Sequence, residues 1–400
     1  MTINLAYDAS LARVRITLDA INPNPYFETN TTGWAASGCT LARSTAQAHQ
    51  GSASLLMTPT GAATAQAAFT ASGSPAVTPG RQYTFTAWVY SPNGYGAVTA
   101  DIDWLNASNQ NISTTLGATT AIPAGTWTKL TTTATAPAQA ARAAARVTIR
   151  NNPTATDVLY VDEARFVPAP GSVVVERSTN GITWSQVRGS MNVDLTSGPA
   201  TLDDYEFPPG VPVTYRFHGD TAQITVGLDG VWIKNIAKPW LNRQVKVVEA
   251  SAIERPSRGG VFDVVGRTNP VTVTDVRASR RFDLVVLADT GQEADDLELA
   301  LSAGDVVFLH VPPGCPLPID TMYAAVGDLE SEQVSRYSEV RLLTLPLTET
   351  AAPSADVVGS TITWSGVLNA YSAWQALLDV QPTWADVLEQ IGKPGDIVVP

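Results

Sequence analysis

The segment from Val173 to Phe217 has strand patterns that need a further strand from elsewhere in the chain. VVVERS (173–178) alternates apolar and polar residues, and Asn180-Gly181 is typical of a φ > 0 turn that leads into the partner strand ITWSQV. A second strand pair carries Tyr205 and Tyr215, which we expect to be half-buried. Two hairpins cannot bury a core of their own. The segment therefore predicts part of a β-sandwich.

The N-terminus offers the missing strand. Within residues 3–18, Val14, Ile16 and Leu18 alternate with polar residues, and the pattern stops at Asn22-Pro23-Asn24-Pro25. The sandwich pattern resumes only at Gly171. We therefore divide this part of the chain into the first strand or strands of the sandwich (1–21), an insert (22–168) and the remainder of the sandwich (169–229).

The sandwich segments resemble a known family. Their order and spacing are fibronectin type III-like, and they are similar to modules of minor tail proteins from long-tailed bacteriophages that infect actinobacteria, with the pattern YD..L.RVRIT, VERS..G..W..VRG and DYE......YR. Only the first gap differs, which an inserted domain explains. The matching residues are Tyr7, Asp8, Leu11, Arg13 to Thr17, Val175 to Ser178, Gly181, Trp184, Val187 to Gly189, Asp204 to Glu206, Tyr215 and Arg216.

The insert has a pattern of its own. Its β-rich segments alternate with Gly, Pro and Asn turns, which predicts an all-β jelly-roll. In order, they resemble a large family of carbohydrate-binding modules attached to polysaccharide-degrading enzymes, whose domain opens with N-P-x-F-E and closes with a V-D strand. The resemblance covers nearly all of the insert and implies carbohydrate binding. The segments are NPYFETNTTGW, HQGSASLL, GRQYTFTAWVY, GTWTKLTTT and LYVDEARFV.

Strand alternation suggests a binding face in the insert. In QYTFTAWVY, TADIDWL and ARVTIR, one face of each strand is apolar, while the other carries aromatic or charged residues. Aromatic rings beside charged groups suit a sugar, which stacks its C–H face and directs its hydroxyls to hydrogen-bond partners. Alternatively, the rings cover the second sheet or lie against a neighbouring subunit. If the strands share a sheet, the site consists of Trp88, Tyr90, Asp101, Asp103, Arg146 and Arg150.

Glu28 and Asp162 lie near the two ends of the insert. They match positions where the resembled family often holds a structural calcium ion, which would join both ends of the domain through oxygen ligands. The alternative is that both are ordinary surface carboxylates. We expect no cofactor other than this calcium ion, and none if the two residues are surface carboxylates.

Residues 230–350 continue as a second β-domain, similar to the ring-forming or barrel domain that such tail proteins place after the sandwich. RGGVFDVVGRTNPVTVTDVR predicts two strands around Asn269-Pro270, and LELALSAG a short helix that carries Leu297, Leu299 and Leu301. The whole chain is thus expected to be all-β, with a fibronectin type III-like sandwich interrupted by a jelly-roll, a second β-domain and a short helical C-terminus.

Residues 351–400 hold three tryptophans at ten-residue spacing, Trp364, Trp374 and Trp384. Ten residues of one helix would leave successive rings about 80° apart, so separate short turns are favoured. We expect these tryptophans to dock on a partner, because tryptophan is common at interface hot spots, with packing on the preceding domain as the alternative.

Composition excludes several classes of protein. The net charge of −12 and the absence of a large basic patch argue against nucleic-acid binding. No apolar run is long enough for membrane insertion, and the N-terminus lacks the pattern of a secretory signal. Two cysteines in different predicted domains do not indicate a disulfide framework. Three scattered histidines and the lack of a catalytic motif predict no enzyme activity.

Two classes of function remain. The first is a structural minor tail protein at the tail tip or baseplate of a virion, made in the host cytoplasm, with other tail proteins as partners and a trimer or hexamer as its natural symmetry. Its insert would bind a host cell-surface glycan, or would be a purely architectural decoration. The second class is a non-viral carbohydrate-binding protein that assists polysaccharide breakdown.

Overall fold

A computed structural model describes residues 3–302 and 304–353, together with Gln375 and Leu378. Within the two long ranges lie 27 strands and one α-helix, so the all-β class is confirmed. The first strands are β1 (Ile3–Asp8), β2 (Arg13–Leu18), β3 (Trp34–Ser37), β4 (Cys39–Ser44), β5 (Ser54–Pro59), β6 (Ala65–Phe69), β7 (Gln82–Tyr90), β8 (Tyr95–Leu105), β9 (Asn111–Thr115), β10 (Thr120–Ile122), β11 (Thr128–Thr135), β12 (Arg142–Ile149) and β13 (Leu159–Pro168). They are followed by β14 (Val175–Ser178), β15 (Ser185–Gln186), β16 (Ala200–Asp204), β17 (Pro212–Phe217), β18 (Asp220–Thr225), β19 (Val231–Asn235), β20 (Arg243–Ala250), β21 (Gly260–Phe262), β22 (Val271–Val273), β23 (Arg281–Ala288), α1 (Gly291–Ser302), β24 (Val307–His310), β25 (Met322–Val326), β26 (Glu330–Gln333) and β27 (Arg341–Glu349).

The insert consists of two sheets that enclose one core. One sheet has the order β10-β8-β12-β6-β3, with β9 also paired to β8, and the other has the order β11-β7-β13-β5-β4. Aromatic rings fill the space between the sheets: Trp34 meets Phe69 edge to face at 4.8 Å, and Tyr83 stacks on Phe166 at 5.4 Å. The core faces predicted from alternation are buried, as Phe85 in β7 and Ile102 in β8 illustrate.

The N-terminal hairpin belongs to a second core. β1 pairs with β2, and β2 pairs with β16, which lies beyond the insert. A four-stranded sheet with the order β15-β14-β17-β18 supplies the other side. Val14, Ile16 and Leu18 are fully buried together with Tyr215 and Phe217, so residues from before and after the insert form one hydrophobic cluster.

Two local predictions in this sandwich were wrong. Gly181 has φ +70°, but Asn180 is not among the residues with positive φ. Instead, the side-chain Oδ1 of Asn180 accepts hydrogen bonds from the backbone N–H groups of Ile182 and Thr183, both at 2.9 Å. Tyr205 and Tyr215 are buried rather than half-buried, because Tyr215 lies in the core of the sandwich and Tyr205 packs with Ile236 and Phe308.

The two crossings between sandwich and insert lie side by side. The backbone N–H of Ile21 donates to the carbonyl of Phe166 at 2.9 Å. The side chain of Asn22 accepts from the N–H of Phe166 at 2.7 Å and donates to the carbonyl of Ala164 at 2.9 Å. The Arg165 guanidinium reaches into the sandwich, where it donates to the carbonyl of Leu195. Both ends of the insert are therefore fastened to each other and to the sandwich.

The third unit is a closed sheet. Its strands follow the order β23-β20-β19-β24-β25-β27, a further pairing of β23 with β27 closes the ring, and β26 lies outside it on β27. Helix α1 starts earlier than the predicted segment and buries Ala294, Leu297 and Ala300. Leu299 is 60% exposed, because helical periodicity places it away from the buried stripe.

A buried lysine joins the sandwich to the closed sheet. The Nζ of Lys234 lies 2.5 Å from the carbonyl oxygen of Ala12, 2.9 Å from that of Tyr205 and 2.8 Å from Nδ1 of His310. Burial lowers the pKa of the Lys234 ammonium to about 7. Burial and the neighbouring Lys234 charge lower the pKa of His310 to about 2. One amine thus contacts three separate parts of the chain.

Cys39 is buried, Cys315 is half-buried, and both are free thiols. Within the part of the chain that the structure describes, no helix has the length and hydropathy of a membrane span.

Candidate functional site

The six residues predicted as one carbohydrate site lie on two different sheets. Trp88 and Tyr90 belong to β7, in the five-stranded sheet of the insert, whereas β8 and β12 lie in the six-stranded sheet. The condition that all three strands share one sheet is therefore not met: β8 and β12 do, but β7 does not. Alternation separates the two faces of a strand, but it does not say which sheet the strand joins, and here the chain changes sheets between β7 and β8.

The charged residues do come together, on the outer face of the six-stranded sheet. Asp101 on β8 faces Arg146 on β12 in register, and its side chain is completely buried. Arg150 Nη2 donates to Asp101 Oδ2 at 2.9 Å, Arg146 Nε lies 3.5 Å from the same oxygen, and Arg146 also pairs with Asp103. We call this surface the polar face; it consists of Thr99, Asp101, Asp103, Arg146, Thr148 and Arg150.

Hydroxyl and backbone groups complete the contacts of Asp101. Thr99 Oγ1 donates to it at 3.1 Å, Thr148 Oγ1 at 3.0 Å, and the backbone N–H of Gly117 at 3.1 Å. A buried carboxylate is tolerated only with such partners. Asp101 therefore holds the two arginines in place rather than meeting a ligand itself.

Two arginines of the polar face are partly exposed, and Asp103 beside them is nearly buried. The exposed fraction is 12% for Asp103, 18% for Arg146 and 30% for Arg150. Beside them, Ala68 pairs in register with Arg146 on one side and with Ala35 on the other. The charged groups thus lie beside small side chains and supply both donors and acceptors.

The aromatic residues form a separate cluster on the outer face of the five-stranded sheet. The ring of His49 stacks on Trp88, with a centroid distance of 3.9 Å and an interplanar angle of 16°. Tyr90 contacts the Trp127 ring at 5.4 Å and the Tyr160 ring at 6.0 Å. We call these five residues the aromatic face. Because His49 covers one side of Trp88, that side is not free to stack on a sugar.

Sequence reasoning missed His49, Trp127 and Tyr160. Tyr160 faces Tyr90 across β13 and β7, and only the register between two strands that are distant in sequence reveals this. Trp127 lies just before β11, so strand alternation does not place it.

Glu28 and Asp162 hold the same loop from two sides. Glu28 accepts hydrogen bonds from the Ser52 hydroxyl and from the N–H groups of Ser52 and Ala53. These bonds lower the pKa of Glu28, and the bond from the Ser52 hydroxyl lowers it most. Asp162 is fully buried and accepts from the N–H groups of His49 and Gln50 at 2.8 and 3.0 Å. Burial raises the pKa of Asp162.

No salt bridge within the described residues neutralises the buried Asp162, whose oxygens accept backbone N–H groups instead. The side chains alone do not make a complete site: within residues 3–302 and 304–353, no group of three or more His, Cys, Asp or Glu residues is placed to hold a metal ion. Backbone carbonyls would have to supply the remaining oxygen ligands. The calcium site stays a prediction.

The predicted docking tryptophans, Trp364, Trp374 and Trp384, lie outside the described residues.

A family model described as "Carbohydrate binding domain" matches residues 20–156. Residues 20–156 therefore form a carbohydrate-binding domain. This domain includes the whole polar face and, of the aromatic face, all but Tyr160. A comparison with curated proteins found no similar sequence.

Solved structures with some likeness to this chain include modules of a Clostridium thermocellum endo-1,4-beta-D-xylanase (19% identity, 36% of this chain and 27% of that one, TM-score 0.31). The C-terminal family 22 carbohydrate binding module of a C. thermocellum xylanase is 23% identical over 38% of this chain and 99% of its own, with a TM-score of 0.30. The enzymatically active domain of tailspike protein 4 from bacteriophage CBA120 is 17% identical over 37% of this chain and 21% of its own, with a TM-score of 0.29.

Proposed function

We propose that the carbohydrate-binding domain binds a cell-surface glycan through the polar face of its six-stranded sheet. The observation that carries this proposal is a pair of partly exposed arginines, Arg146 and Arg150, held in fixed positions by the buried Asp101. Asp103 lies beside them, paired with Arg146. Sugar hydroxyls both donate and accept hydrogen bonds, so a carboxylate beside two guanidinium groups offers partners of both kinds.

Preorganisation favours the polar face over the aromatic face. The arginines of the polar face are already anchored, so little conformational entropy is lost when a ligand binds. On the aromatic face, His49 covers one side of the Trp88 ring, and Tyr90 contacts both Trp127 and Tyr160. A sugar would have to displace such contacts before it could stack there.

We further propose that the whole chain is a minor tail protein of a bacteriophage, at the tail tip or baseplate, that recognises the host without catalysing a reaction. The tail-type motif pattern supports this role, and so does the N-terminal hairpin β1–β2 that completes a sandwich on the far side of the insert. A domain fastened at both ends suits a particle that presents several copies in fixed orientation. Several weak sites then act together, because the first contact raises the effective concentration for the second.

The glycan proposal is tested with the full chain, using isothermal titration calorimetry and sedimentation with intact actinobacterial cells and their purified envelope polysaccharides. Asp103→Asn and Arg150→Gln alter the polar face, and Trp88→Ala and Tyr90→Ala alter the aromatic face. We expect saturable binding that each polar-face variant weakens at least tenfold and that the aromatic-face variants retain.

Thermal unfolding of each variant verifies that the fold is intact. Loss of binding only in the aromatic-face variants would move the site to the other sheet. A folded wild-type chain that binds none of these polysaccharides would contradict glycan recognition and leave an architectural role.

The tail proposal is tested separately by immunogold labelling of virions whose genome encodes this sequence, with antibodies against residues 20–156. We expect gold particles at the distal end of the tail. Labelling of the capsid, or no labelling of intact virions that contain the protein, would reject the assignment.

A further inference from the structure

A long two-stranded ribbon leaves the closed sheet between β20 and β23. Its base is marked by Glu254 and Arg281, whose backbone groups exchange hydrogen bonds of 2.8 and 2.9 Å. Farther out, β21 pairs with β22, and a turn at Val264–Arg267 ends the ribbon. We call residues 255–278 the arm. From the sequence, we expected these strands on either side of Asn269-Pro270 within the second β-domain. The turn instead lies earlier, at Val264–Arg267, and both strands are exposed.

The arm exposes apolar side chains that have no core to enter. Phe262, Val271 and Val273 share one face of the ribbon, because Phe262 pairs with Val271 and Val273 with Gly260. Contiguous exposed apolar residues of this kind mark interaction surfaces. The exposed fractions are 66% for Val261, 58% for Phe262, 43% for Val264, 38% for Val271, 57% for Val273 and 70% for Val276, and Val265 is fully exposed.

The arm also differs from the rest of the chain in charge. Arg255, Arg258, Arg267 and Arg277 outnumber Asp263 and Asp275, which gives the arm a net charge of +2 in a chain of net charge −12. The remainder of the chain is therefore strongly acidic. A basic apolar ribbon is complementary to an acidic surface with apolar residues, and another copy of this chain offers one.

That surface lies at the edge of the closed sheet. β26 pairs with β27 on one side and, within the described residues, with no strand on the other; Glu330 and Glu332 on it are exposed. Helix α1 adjoins this edge, because Asp295 on α1 lies 3.6 Å from Arg341, which pairs in register with Gln333. We call the exposed residues Glu293, Asp295, Leu299, Glu330, Glu332, Val334 and Tyr337 the acidic edge.

The acidic edge has apolar residues of its own. Val334 is 55% exposed, Leu299 60% and Tyr337 fully exposed. An open edge strand presents unpaired N–H and C=O groups that accept a further strand. The acidic edge therefore matches the arm in three respects: backbone pairing, apolar contact and charge of opposite sign.

We propose that the arm of one copy of this chain docks on the acidic edge of a second copy. Because the two surfaces are different, the contact is heterologous and each copy can bind the next in the same way. The copies form a ring if the rotation between neighbours adds up to a full turn. This inference does not depend on glycan binding, since both surfaces lie in the part of the chain after residue 229.

The test measures the mass of the full chain by sedimentation velocity over a concentration series at low and high salt. We expect an assembly larger than a monomer that high salt weakens, because the Debye length falls to about 3 Å at 1 M salt. Replacing residues 257–277 by a short Gly-Ser linker is expected to give a monomer. A monomeric wild type at all concentrations, or an assembly that survives this deletion, would overturn the proposal.

Charge reversal tests the pairing of the two surfaces. Arg258→Glu with Arg267→Glu on the arm, or Glu330→Arg with Glu332→Arg on the edge, is expected to weaken assembly at least tenfold, and a mixture of the two double variants to restore it. Lys129→Glu with Arg43→Glu, on exposed residues of the carbohydrate-binding domain, applies the same change in charge as a control. If the mixture of folded variants stays monomeric, the acidic edge is not the partner of the arm.

Discussion

The buried amine of Lys234 makes the stability of the chain depend on pH in a way that one substitution removes. Its pKa is lowered by burial from 10.5 to about 7 in the folded protein. Between these values the unfolded chain binds the proton and the folded chain does not, so the free energy of unfolding rises as pH increases from about 7 to 10.5. Below pH 7 the amine is protonated in both states. The free energy of unfolding then no longer depends on this group, and it lacks the gain seen at high pH.

The pKa difference corresponds to about 5 kcal/mol over this range, at about 1.4 kcal/mol for each pH unit. Lys234→Met keeps an unbranched side chain of similar length but cannot bind a proton. The free energy of unfolding of the variant is therefore expected to lack this slope. The difference between wild type and variant should change steadily from pH 7 to pH 10.

Two measurements check this expectation. Urea denaturation followed by circular dichroism at several pH values gives the free energy of unfolding of both proteins. NMR of lysine labelled with ¹³C at Cε reports each amine directly, and the chain has only five lysines, at positions 129, 234, 238, 246 and 393. We expect one signal with a midpoint near pH 7 that is absent from Lys234→Met.

Parallel stability curves for the two proteins, or five lysine signals that all titrate above pH 9, would refute the reasoning. Either result would mean that the amine keeps its charge in the folded protein, stabilised by the carbonyls of Ala12 and Tyr205.

Three further perturbations follow from the described contacts. Arg177→Met leaves the buried Asp204 without its ion partner and is expected to lower the free energy of unfolding by about 3–5 kcal/mol in urea denaturation. Arg216→Met removes a more exposed pair, with Glu176 on the adjacent strand, and is expected to cost about 1 kcal/mol. Equal losses would contradict this. Gly51→Ala places a Cβ 2.1 Å from Glu28 Oε1 at φ +69°, so calorimetry should show a larger fall in Tm than for Gly80→Ala, where φ is +78° and no atom lies within 4 Å. If Glu28 and Asp162 share a calcium ion, calcium at a hundred times its Kd stabilises the domain by about 2.7 kcal/mol and Glu28→Gln removes the effect; an unchanged Tm in calcium and in EDTA would contradict the site.

Strand faces could be predicted from the sequence, but sheet membership could not. In β7, alternation separates Phe85, which is buried, from Trp88, which lies on the outer face. The hydrogen bonds that assign β7 to one sheet and β8 to the other join segments far apart in the chain. Local pattern contains no information about such pairings, so the proposed binding residues were divided between two surfaces.

The arm illustrates a different limit. The valines at 261, 271 and 273 have the composition of buried strands, and from the sequence we expected them in strands of the second β-domain. Whether a strand is covered depends on what packs against it, which strand propensity does not describe. The same applies to His49, whose stacking on Trp88 follows from the loop that Asp162 holds.

The paired crossings at residues 21–22 and 164–166 also have a mechanical consequence. A pull on the carbohydrate-binding domain is shared by two stretches of the covalent chain. Ile21 donates a hydrogen bond to the carbonyl of Phe166, and Asn22 accepts one from its N–H, so the two stretches stay together. A domain on a single linker can rotate under tension. The carbohydrate-binding domain has two connections and therefore transmits torque to the sandwich. The same geometry makes the domain an exchangeable cassette: its ends are adjacent, so another domain with adjacent ends could replace it without disturbing the fold around it.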